Sequence, residues 1–305
     1  MFCTLMRAAE AFSGVRVLNY VALDNHFHAL IQVPRAPAAL SEAELLDRVE
    51  ALYGKDGRRA REELWATYRE QEHGELVLED QARLKARMHD VSAFMKTLKQ
   101  RYTQWHNRKF GRTGTLWEQR FKSVLVEGSE GALRTMCAYI DLNAVRAKIV
   151  SDPKDYRWCG YAAALSGVQR AREGIAQALG GFAHGADWKT IAVKYRLFLY
   201  ASGECGALDE NGRPEKPGFS PEQAGEVLAK GGKLTVFELL HCRVRYFTDG
   251  AVLGSREFVE DAFERYRQFF GLKRKTGARP MRCCEAPLCT MRALRLEPVS
   301  VPASG

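Results

Sequence analysis

Residues 15–33 read VRVLNYVALDNHFHALIQV, and this stretch decides the fold that we expect. Its first part, 15–22, is rich in Val, Leu and Tyr, and a second apolar run covers 26–33. Asp24-Asn25 stands between the two runs as a turn signal. Runs of β-branched and aromatic residues on both sides of a turn are typical of paired strands. The stretch therefore predicts a β-hairpin.

Helical patterns flank the hairpin. The ranges 1–12, 92–108 and 130–147 each predict a helix, and the second of them carries a single apolar stripe. The charged segment 36–91 predicts a helical insertion. The range 117–126 predicts a third strand.

The positive charge of the chain is concentrated in one segment. Of 305 residues with a net charge of +9, eleven Lys or Arg lie between Arg83 and Lys122, against Asp90 and Glu118 alone. This segment, the basic window, thus holds a net +9, and the rest of the chain sums to zero. Such a field is expected of a protein that binds nucleic acid, although a solvated basic helix face has the same pattern.

The apolar runs are too short to cross a bilayer, which takes about 20 apolar residues. The first residues lack the regions of a signal peptide. We therefore expect no membrane association and a cytoplasmic location. Eight scattered cysteines do not form a disulfide framework there, and Cys283, Cys284 and Cys289 are interpreted as reduced thiols without a metal role.

The sharpest local feature is His26-Phe27-His28. Alternate side chains of a strand emerge on the same face, so both imidazoles share one face, about 7 Å apart, and Phe27 points to the other. Two such imidazoles can share a divalent cation. By itself the pair is weak evidence, because many such pairs are surface or core histidines that bind nothing.

A second feature is Tyr139-Ile140-Asp141-Leu142-Asn143 on the helix predicted over 130–147. The spacing of four places Tyr139 and Asn143 on one face, one turn apart. If this face meets the histidine strand, the amide oxygen can complete a metal site beside the phenol. A tyrosine on an amphipathic helix is more often only a packing residue.

Four segments occur in a characteristic order, namely Asn25–Ile31 (NHFHALI), Leu116–Ser123 (LWEQRFKS), Tyr139–Ala147 (YIDLNAVRA) and Asp155–Tyr161 (DYRWCGY). Together they resemble the REP-associated tyrosine transposases, relatives of the small insertion-sequence transposases of the HUH class. The resemblance spans residues 1–161. Arg245–Gly250 (RYFTDG) and Lys273-Arg274-Lys275 are similar to the tails of longer members.

The resemblance implies an enzyme that cleaves and rejoins single-stranded DNA at hairpin-forming ends. It implies His26, His28 and Asn143 as ligands of Mg or Mn, and Tyr139 as the nucleophile that forms a 5′-phosphotyrosine and frees a 3′-hydroxyl. A phenol is a weak nucleophile at neutral pH and needs activation, and a divalent ion would neutralise the phosphodiester. No P-loop is present in the sequence, and none is needed, because the phosphotyrosine conserves the bond energy.

The basic window is predicted to bind the DNA backbone through phosphate contacts, which give affinity without sequence information. Its aromatic residues could stack on unpaired bases, although each is equally compatible with a core position. The predicted DNA-binding residues are Arg101, Arg108, Lys109, Arg112, Trp117, Arg120 and Lys122.

The predicted architecture is α+β, a ferredoxin-like antiparallel sheet with packed helices. We expect a transposase domain over 1–161, with the helical insertion over about 36–91. Residues 162–305 are expected to form a helical extension, with a linker around 203–218 and a basic tail for which disorder is an alternative. Whether the protein is a monomer or a homodimer stays open.

Two departures from the family pattern matter. Ala144 stands where the family usually has proline, which removes no catalytic atom. The family pattern begins with a strand before the first helix, whereas this chain opens inside that helix. We therefore expect either a start further upstream or a truncated copy with a sheet one strand short and an exposed edge.

Two alternatives stay open. The first is a non-catalytic DNA-binding protein derived from a decayed or domesticated transposase, which keeps the basic window without strand cleavage. The second is a metallohydrolase that uses His26 and His28, although the remaining histidines show no companion motif.

Overall fold

A computed structural model describes residues 1–180, 187–201, 245–248, 250–281 and 287–292. The chain divides into two compact units. The first comprises 1–18 and 29–121, and the second comprises 19–28 together with the described residues from 122 onward. The division passes through both strands of the hairpin.

The helices of the first unit lie where the sequence predicts them. They are α1 (Phe2–Ser13), α2 (Glu42–Glu70), α3 (Gly74–Lys85) and α4 (Val91–Phe110). Helix α2 begins at a capping box in which Ser41 and Glu44 satisfy each other's backbone N–H groups. Helix α4 begins at Asp90, whose carboxylate accepts from the Ala93 N–H, and ends at Gly111 in the left-handed conformation.

The predicted hairpin is confirmed as β1 (Arg16–Ala22) and β2 (Phe27–Gln32), which form a two-stranded antiparallel sheet. The Leu23 N–H donates to the His26 carbonyl at 2.9 Å and closes the turn. All the residues of 17–21 are buried, so both faces of β1 are covered.

The strand predicted over 117–126 is wrong for most of its length, because only β3 (Leu125–Val126) is a strand. The residues that precede β3 form hydrogen bonds with helix α4 instead. The Trp117 indole N–H donates to the Lys99 carbonyl at 3.2 Å and to the Thr103 hydroxyl at 3.0 Å. The Lys99 ammonium donates to the Gln119 carbonyl at 2.8 Å. This irregular segment is therefore tied to helix side chains and carbonyls instead of a strand ladder.

The helices of the second unit follow the sequence pattern. They are α5 (Glu130–Asp141), α6 (Asn143–Arg146), α7 (Gly160–Leu165), α8 (Gln169–Ala178), α9 (Trp188–Ala201), α10 (Arg245–Thr248) and α11 (Arg256–Arg265). The helix predicted over 130–147 is confirmed as α5 and α6, interrupted at Leu142. The linker predicted around 203–218 lies outside the described residues.

The C-terminal extension is not wholly helical, which corrects the prediction. Three short strands, β4 (Val252–Gly254), β5 (Arg279–Pro280) and β6 (Cys289–Met291), join β3 in a sheet of order β3-β4-β6-β5. Strands β3 and β4 are parallel, and the other pairs are antiparallel. All three residues of β4 are buried, so this short run cannot show the alternation that identifies a strand.

Arg274 anchors the described part of the basic tail through several contacts. In Lys273-Arg274-Lys275, the Arg274 guanidinium donates to the carbonyls of Thr276, Gly277 and Arg292, and its Cζ lies 4.7 Å from the Phe270 ring centroid. Cys289 is a buried free thiol, and Cys283 and Cys284 lie outside the described residues.

The architecture is thus mixed α and β, mainly helical, with two small sheets. A ferredoxin-like sheet is not confirmed, since the hairpin and β3 belong to different sheets. Of the helices that the structure describes, none combines the length and the apolar character needed to cross a bilayer.

Candidate functional site

The histidine pair lies at the start of β2. His26 precedes the strand and is exposed, and its Nδ1 lies 2.6 Å from the Asn25 side-chain oxygen. His28 lies within the strand and is half-buried. The two ring centroids are 5.2 Å apart with an edge-to-face angle of 84°. The side chains therefore share one face, as the alternation along a strand requires.

The tyrosine predicted as the nucleophile lies beside this pair. The Tyr139 ring centroid is 5.5 Å from that of His28, with an angle of 73° between the planes. Both residues belong to the second compact unit, although they lie on different elements. Of the predicted site residues, the structure thus brings together His26, His28 and Tyr139.

Two further residues, which sequence reasoning did not select, contact the Tyr139 ring. The Phe247 ring of α10 stacks on it with centroids 4.2 Å apart and planes inclined by 16°. The Arg146 guanidinium carbon of α6 lies 5.1 Å from the Tyr139 ring centroid. Only 2% of Tyr139 is exposed. Arg146 stands seven residues after Tyr139 in YIDLNAVRA, and this spacing on one helical face was a usable signal.

Burial and nearby charges affect the protonation of His28. Burial, followed by the charges of His26 and Arg146, lowers the pKa of His28 to about 4. At neutral pH its imidazole is therefore uncharged and has a nitrogen lone pair to offer. A neutral imidazole is the form that binds a metal ion.

The third predicted ligand lies one turn from Tyr139. Asn143 is buried, and its amide nitrogen donates to the Tyr139 carbonyl at 2.7 Å and to the Ile140 carbonyl at 3.4 Å. These bonds fix the amide group at the end of α5. Because the side-chain nitrogen already donates to two backbone carbonyls, the side-chain oxygen is the atom of Asn143 that suits a cation.

The donor set fits a divalent ion in kind. Two imidazole nitrogens and an amide oxygen suit Mn, whereas Mg prefers oxygen donors. Within the described residues, no group of three or more His, Cys, Asp or Glu side chains could hold a metal ion. A site here would therefore depend on Asn143 as well as on His26 and His28.

A buried carboxylate fixes the tyrosine helix to β1. Asp141 accepts from the Asn19 amide at 2.8 Å, from the Tyr195 hydroxyl at 2.5 Å and from the Tyr161 N–H at 3.2 Å. Burial nevertheless dominates these bonds and raises the pKa of Asp141 to about 7. The network orders the end of α5, where Tyr139 lies.

Asp155–Tyr161, the fourth segment of the resemblance, lines the edge of β1. The Ala22 N–H donates to the Trp158 carbonyl at 3.0 Å, and the Tyr156 hydroxyl donates to the Ala22 carbonyl at 2.7 Å. Val21 forms an isolated antiparallel bridge with Cys159. This segment therefore supplies part of the pairing that the free side of β1 would otherwise lack.

The predicted DNA-binding residues, except Lys122, belong to the first unit. Arg108, Lys109, Arg112, Arg120 and Lys122 are exposed, as phosphate contacts must be. Arg101 is half-buried, with its Cζ 5.3 Å from the Tyr53 ring centroid. Trp117 is half-buried against α4 through its two hydrogen bonds. These two residues are thus partly committed to packing.

Around the end of α4, aromatic rings lie side by side with cations over them. The Tyr102 ring lies 5.5 Å from Trp105 and 6.0 Å from Trp117, and the His106 ring lies 4.5 Å from Phe110. The Lys109 ammonium lies 5.1 Å from the Trp105 ring centroid and 5.2 Å from that of Phe110. We name this set, Tyr102, Trp105, His106, Phe110 and Trp117, the aromatic cluster.

Phe110 and His106 are the members of the aromatic cluster that sequence reasoning did not select. Phe110 is 55% exposed, so its ring is accessible to a stacking partner. Its place at the end of the apolar stripe, next to Arg108 and Lys109, was the signal available in the sequence.

No protein-family model, no curated protein and no solved structure matches this chain.

Proposed function

We propose that this protein nicks and rejoins single-stranded DNA at hairpin-forming ends, with Tyr139 as the nucleophile. The observation that carries the proposal is the contact of the Tyr139 ring with His28, 5.5 Å away, and with the Arg146 cation, 5.1 Å away. A phenol, an imidazole that stays neutral and a fixed cation form a set suited to attack on a phosphodiester.

In this mechanism the Tyr139 phenol loses its proton to water, and its oxygen forms a bond to phosphorus. The bond from phosphorus to the 3′ oxygen breaks, and that oxygen leaves as a free 3′-hydroxyl after taking up a proton. Tyr139 then carries the 5′-phosphate of the downstream strand. The 3′-hydroxyl of another strand can reverse the reaction onto a new partner without an external energy source.

The residues around Tyr139 have separate tasks. Arg146 would pair with the phosphate oxygens, because a guanidinium binds phosphate through charge-assisted hydrogen bonds. His26, His28 and Asn143 would hold Mg or Mn. When bound, the divalent ion supplies charge neutralisation of the phosphate. Asn143 and the Asp141 network would keep the end of α5 in place, because orientation of the nucleophile contributes to the rate.

The aromatic cluster and the basic window support single-stranded DNA as the class of substrate. Exposed cations give affinity for the phosphate backbone, and an exposed ring such as Phe110 gives a stacking surface that only unpaired bases can use. We therefore assign single-stranded DNA to this surface. We further propose that the hairpin is part of a ferredoxin-like sheet. The protein would act in the cytoplasm, at the nucleoid.

The experiment uses a single-stranded oligonucleotide that covers DNA flanking the reading frame and can fold into a hairpin, with Mn present. A label at its 3′ end should become covalently attached to the protein, and a label at its 5′ end should be released on a shorter strand. Tyr139→Phe should abolish both results and leave DNA binding intact, whereas Tyr266→Phe, at an exposed tyrosine, should change neither. Attachment that persists in Tyr139→Phe would refute the mechanism.

A non-catalytic DNA-binding protein is the second candidate, and the burial of Tyr139 favours it. A residue with 2% of its surface exposed does not reach a phosphodiester without a conformational change. Under this alternative the wild-type protein binds the oligonucleotide and attaches neither label. The same experiment thus separates the two candidates.

A further inference from the structure

The loop before α7 exposes an arginine and a tryptophan side by side. The Arg157 guanidinium carbon lies 4.2 Å from the Trp158 ring centroid, and both residues are exposed. Trp158, at 38%, is the most exposed of the five tryptophans of the chain. One exposed apolar ring is ordinary, but a ring with a guanidinium fixed over it presents an aromatic and a cationic surface together.

The polar groups of both side chains are available to a ligand. Among the residues that the structure describes, the Arg157 guanidinium has no ion pair or hydrogen bond, and the Trp158 indole N–H has no acceptor. The guanidinium groups of Arg267 and Arg274 also lie over rings, but they donate to backbone carbonyls. Arg157 therefore keeps its five N–H donors, whereas those two arginines use theirs within the protein.

The backbone on both sides of the exposed pair is fixed. Tyr156 is buried, and its hydroxyl donates to the Ala22 carbonyl at 2.7 Å. The Ala22 N–H donates to the Trp158 carbonyl at 3.0 Å, and the buried Cys159 forms a bridge with Val21. A ligand that binds to side chains on so constrained a backbone loses less free energy to ordering of the protein.

The same hydrogen bonds place the pair next to the candidate site. Ala22 is the last residue of β1, and the N–H of the next residue, Leu23, donates to the His26 carbonyl. The exposed pair, the histidine pair and Tyr139 all belong to the second compact unit. The aromatic cluster, by contrast, belongs to the first unit.

We propose that Arg157 and Trp158 form a second binding site for single-stranded DNA, beside the histidine pair. We name the two residues the Arg–Trp platform. An unpaired base stacks on the exposed part of the Trp158 indole, and the adjacent phosphate binds to the Arg157 guanidinium. This inference rests on the proposed function, because that function makes single-stranded DNA the ligand. The platform would hold the strand close to the residues that act on it.

The first test locates the bound base. A set of thymine oligonucleotides carries one 5-iodouracil at each position in turn, and irradiation cross-links this base to an aromatic ring stacked on it. Peptide mass spectrometry of the full chain should find a cross-link at Trp158 in the wild type and at the same position in Trp158→Phe. Trp158→Leu should lose it. A wild-type protein that binds these oligonucleotides without a cross-link at Trp158 overturns the proposal.

The second test separates stacking from charge by fluorescence anisotropy. Trp158→Leu should weaken the binding of a single-stranded oligonucleotide about tenfold and leave duplex binding unchanged. Arg157→Gln should reduce the slope of log affinity against log salt by about 0.7, the value for one phosphate contact with a single strand. Because Arg157 is exposed and stabilises no other described residue through a hydrogen bond, this variant decides the question even if Trp158→Leu unfolds.

Two matched controls come from the same unit. Leu165→Ala removes another exposed apolar side chain, and Lys189→Gln removes another exposed cation. Both should bind single-stranded DNA with the affinity and the salt dependence of the wild type. The proposal is overturned if Arg157→Gln keeps the salt slope of Lys189→Gln, or if a folded Trp158→Leu keeps the affinity of Leu165→Ala.

Attachment of the 3′ label separates this inference from the proposed function. If both hold, Trp158→Leu needs about tenfold more DNA for half-maximal attachment and reaches the wild-type rate at saturation, because the platform binds the strand without taking part in the chemistry. A cross-link at Trp158 without attachment of the label means that the platform is real and the nicking mechanism fails. Attachment by a wild-type protein that lacks the cross-link means that nicking stands and the platform is refuted.

Discussion

The Asn19 side chain on β1 donates a hydrogen bond of 2.8 Å to the Asp141 carboxylate at the end of the tyrosine helix. Its oxygen accepts from the Tyr20 N–H at 2.9 Å, and its nitrogen also lies 3.3 Å from the Cys137 carbonyl. The buried amide is thus bonded at both ends. It connects the second compact unit's part of the hairpin to the helix that carries Tyr139.

Gly160 leaves room for the Asn19 side chain because it has no Cβ. A Cβ at this position would lie 2.0 Å from the Asn19 Oδ1, a distance that no side chain tolerates. Gly160→Ala should therefore displace the amide and lower the free energy of unfolding by about 3 kcal/mol, measured by urea denaturation. Gly74→Ala is the control, because nothing lies within 4 Å of its Cβ position. Equal stability of both variants would contradict the role of Asn19.

Metal binding can be measured without DNA. If His26 and His28 hold Mn, a concentration of about 100 Kd should stabilise the wild-type protein by about 2.7 kcal/mol and raise its Tm. His28→Ala should lose most of this shift. His73→Ala, at an exposed histidine on the N-terminal cap of α3, should keep it. A shift of the same size in all three proteins would exclude the histidine pair as the site.

The low pKa of His28, about 4, makes stability depend on pH. An unfolded histidine takes up its proton near pH 6.5, whereas the folded one resists. The contribution is complete above about pH 6.5 and is lost as the pH falls toward 4, by at most about 3 kcal/mol. His28→Gln should therefore lose less stability than the wild type over this range, as measured by urea denaturation at each pH.

The Asp141 carboxyl makes the stability depend on pH in the opposite direction. Its raised pKa, about 7, gives a contribution that is present at low pH and lost as the pH rises from about 4 to 7. The two groups partly offset each other in the wild-type protein, so only the comparison with His28→Gln isolates the histidine. His73→Gln should follow the wild-type curve, and a His28→Gln curve parallel to it would contradict the burial of an uncharged His28.

Phe110 should contribute to binding of single-stranded DNA. Stacking of one base is worth about 1–3 kcal/mol, so Phe110→Ala should weaken the binding of a single-stranded oligonucleotide about tenfold or more. Affinity for the corresponding duplex should change little, because its bases are already stacked. Leu78→Ala removes another exposed apolar side chain of the first unit, outside the basic window, and should leave both affinities unchanged. The affinities of the wild type and both variants for the two forms of DNA are measured by fluorescence anisotropy.

The parts of the fold that the sequence predicted are those with local signals. Two apolar runs and a turn predict the hairpin, and Asp90 at the start and Gly111 at the end mark the bounds of α4. The sheet of β3 to β6 escaped prediction because its strands have only two or three residues. Such short runs have no period, and their partners are distant in sequence.

The residues of the candidate site also differ in whether the sequence could reveal them. His26, His28 and Tyr139 could be found because their spacing within each element places them on one face. Phe247 could not, because its contact with Tyr139 depends on how the C-terminal part of the chain folds back, and no periodicity records that. Trp117 and Leu125 show the converse case, in which the range predicted as one strand divides into a segment bonded to helix α4 and a strand of two residues.

The parallel pairing of Leu125 with Val252 and of Val126 with Leu253 has a consequence for the order of events during synthesis. The ribosome releases the chain from its N-terminus, so β3 and the tyrosine helix behind it emerge well before β4 exists. Until residues 252–253 follow, β3 lacks the strand with which it pairs in the described part of the chain. This pairing therefore forms late in translation, when the segment that carries Phe247 has already emerged.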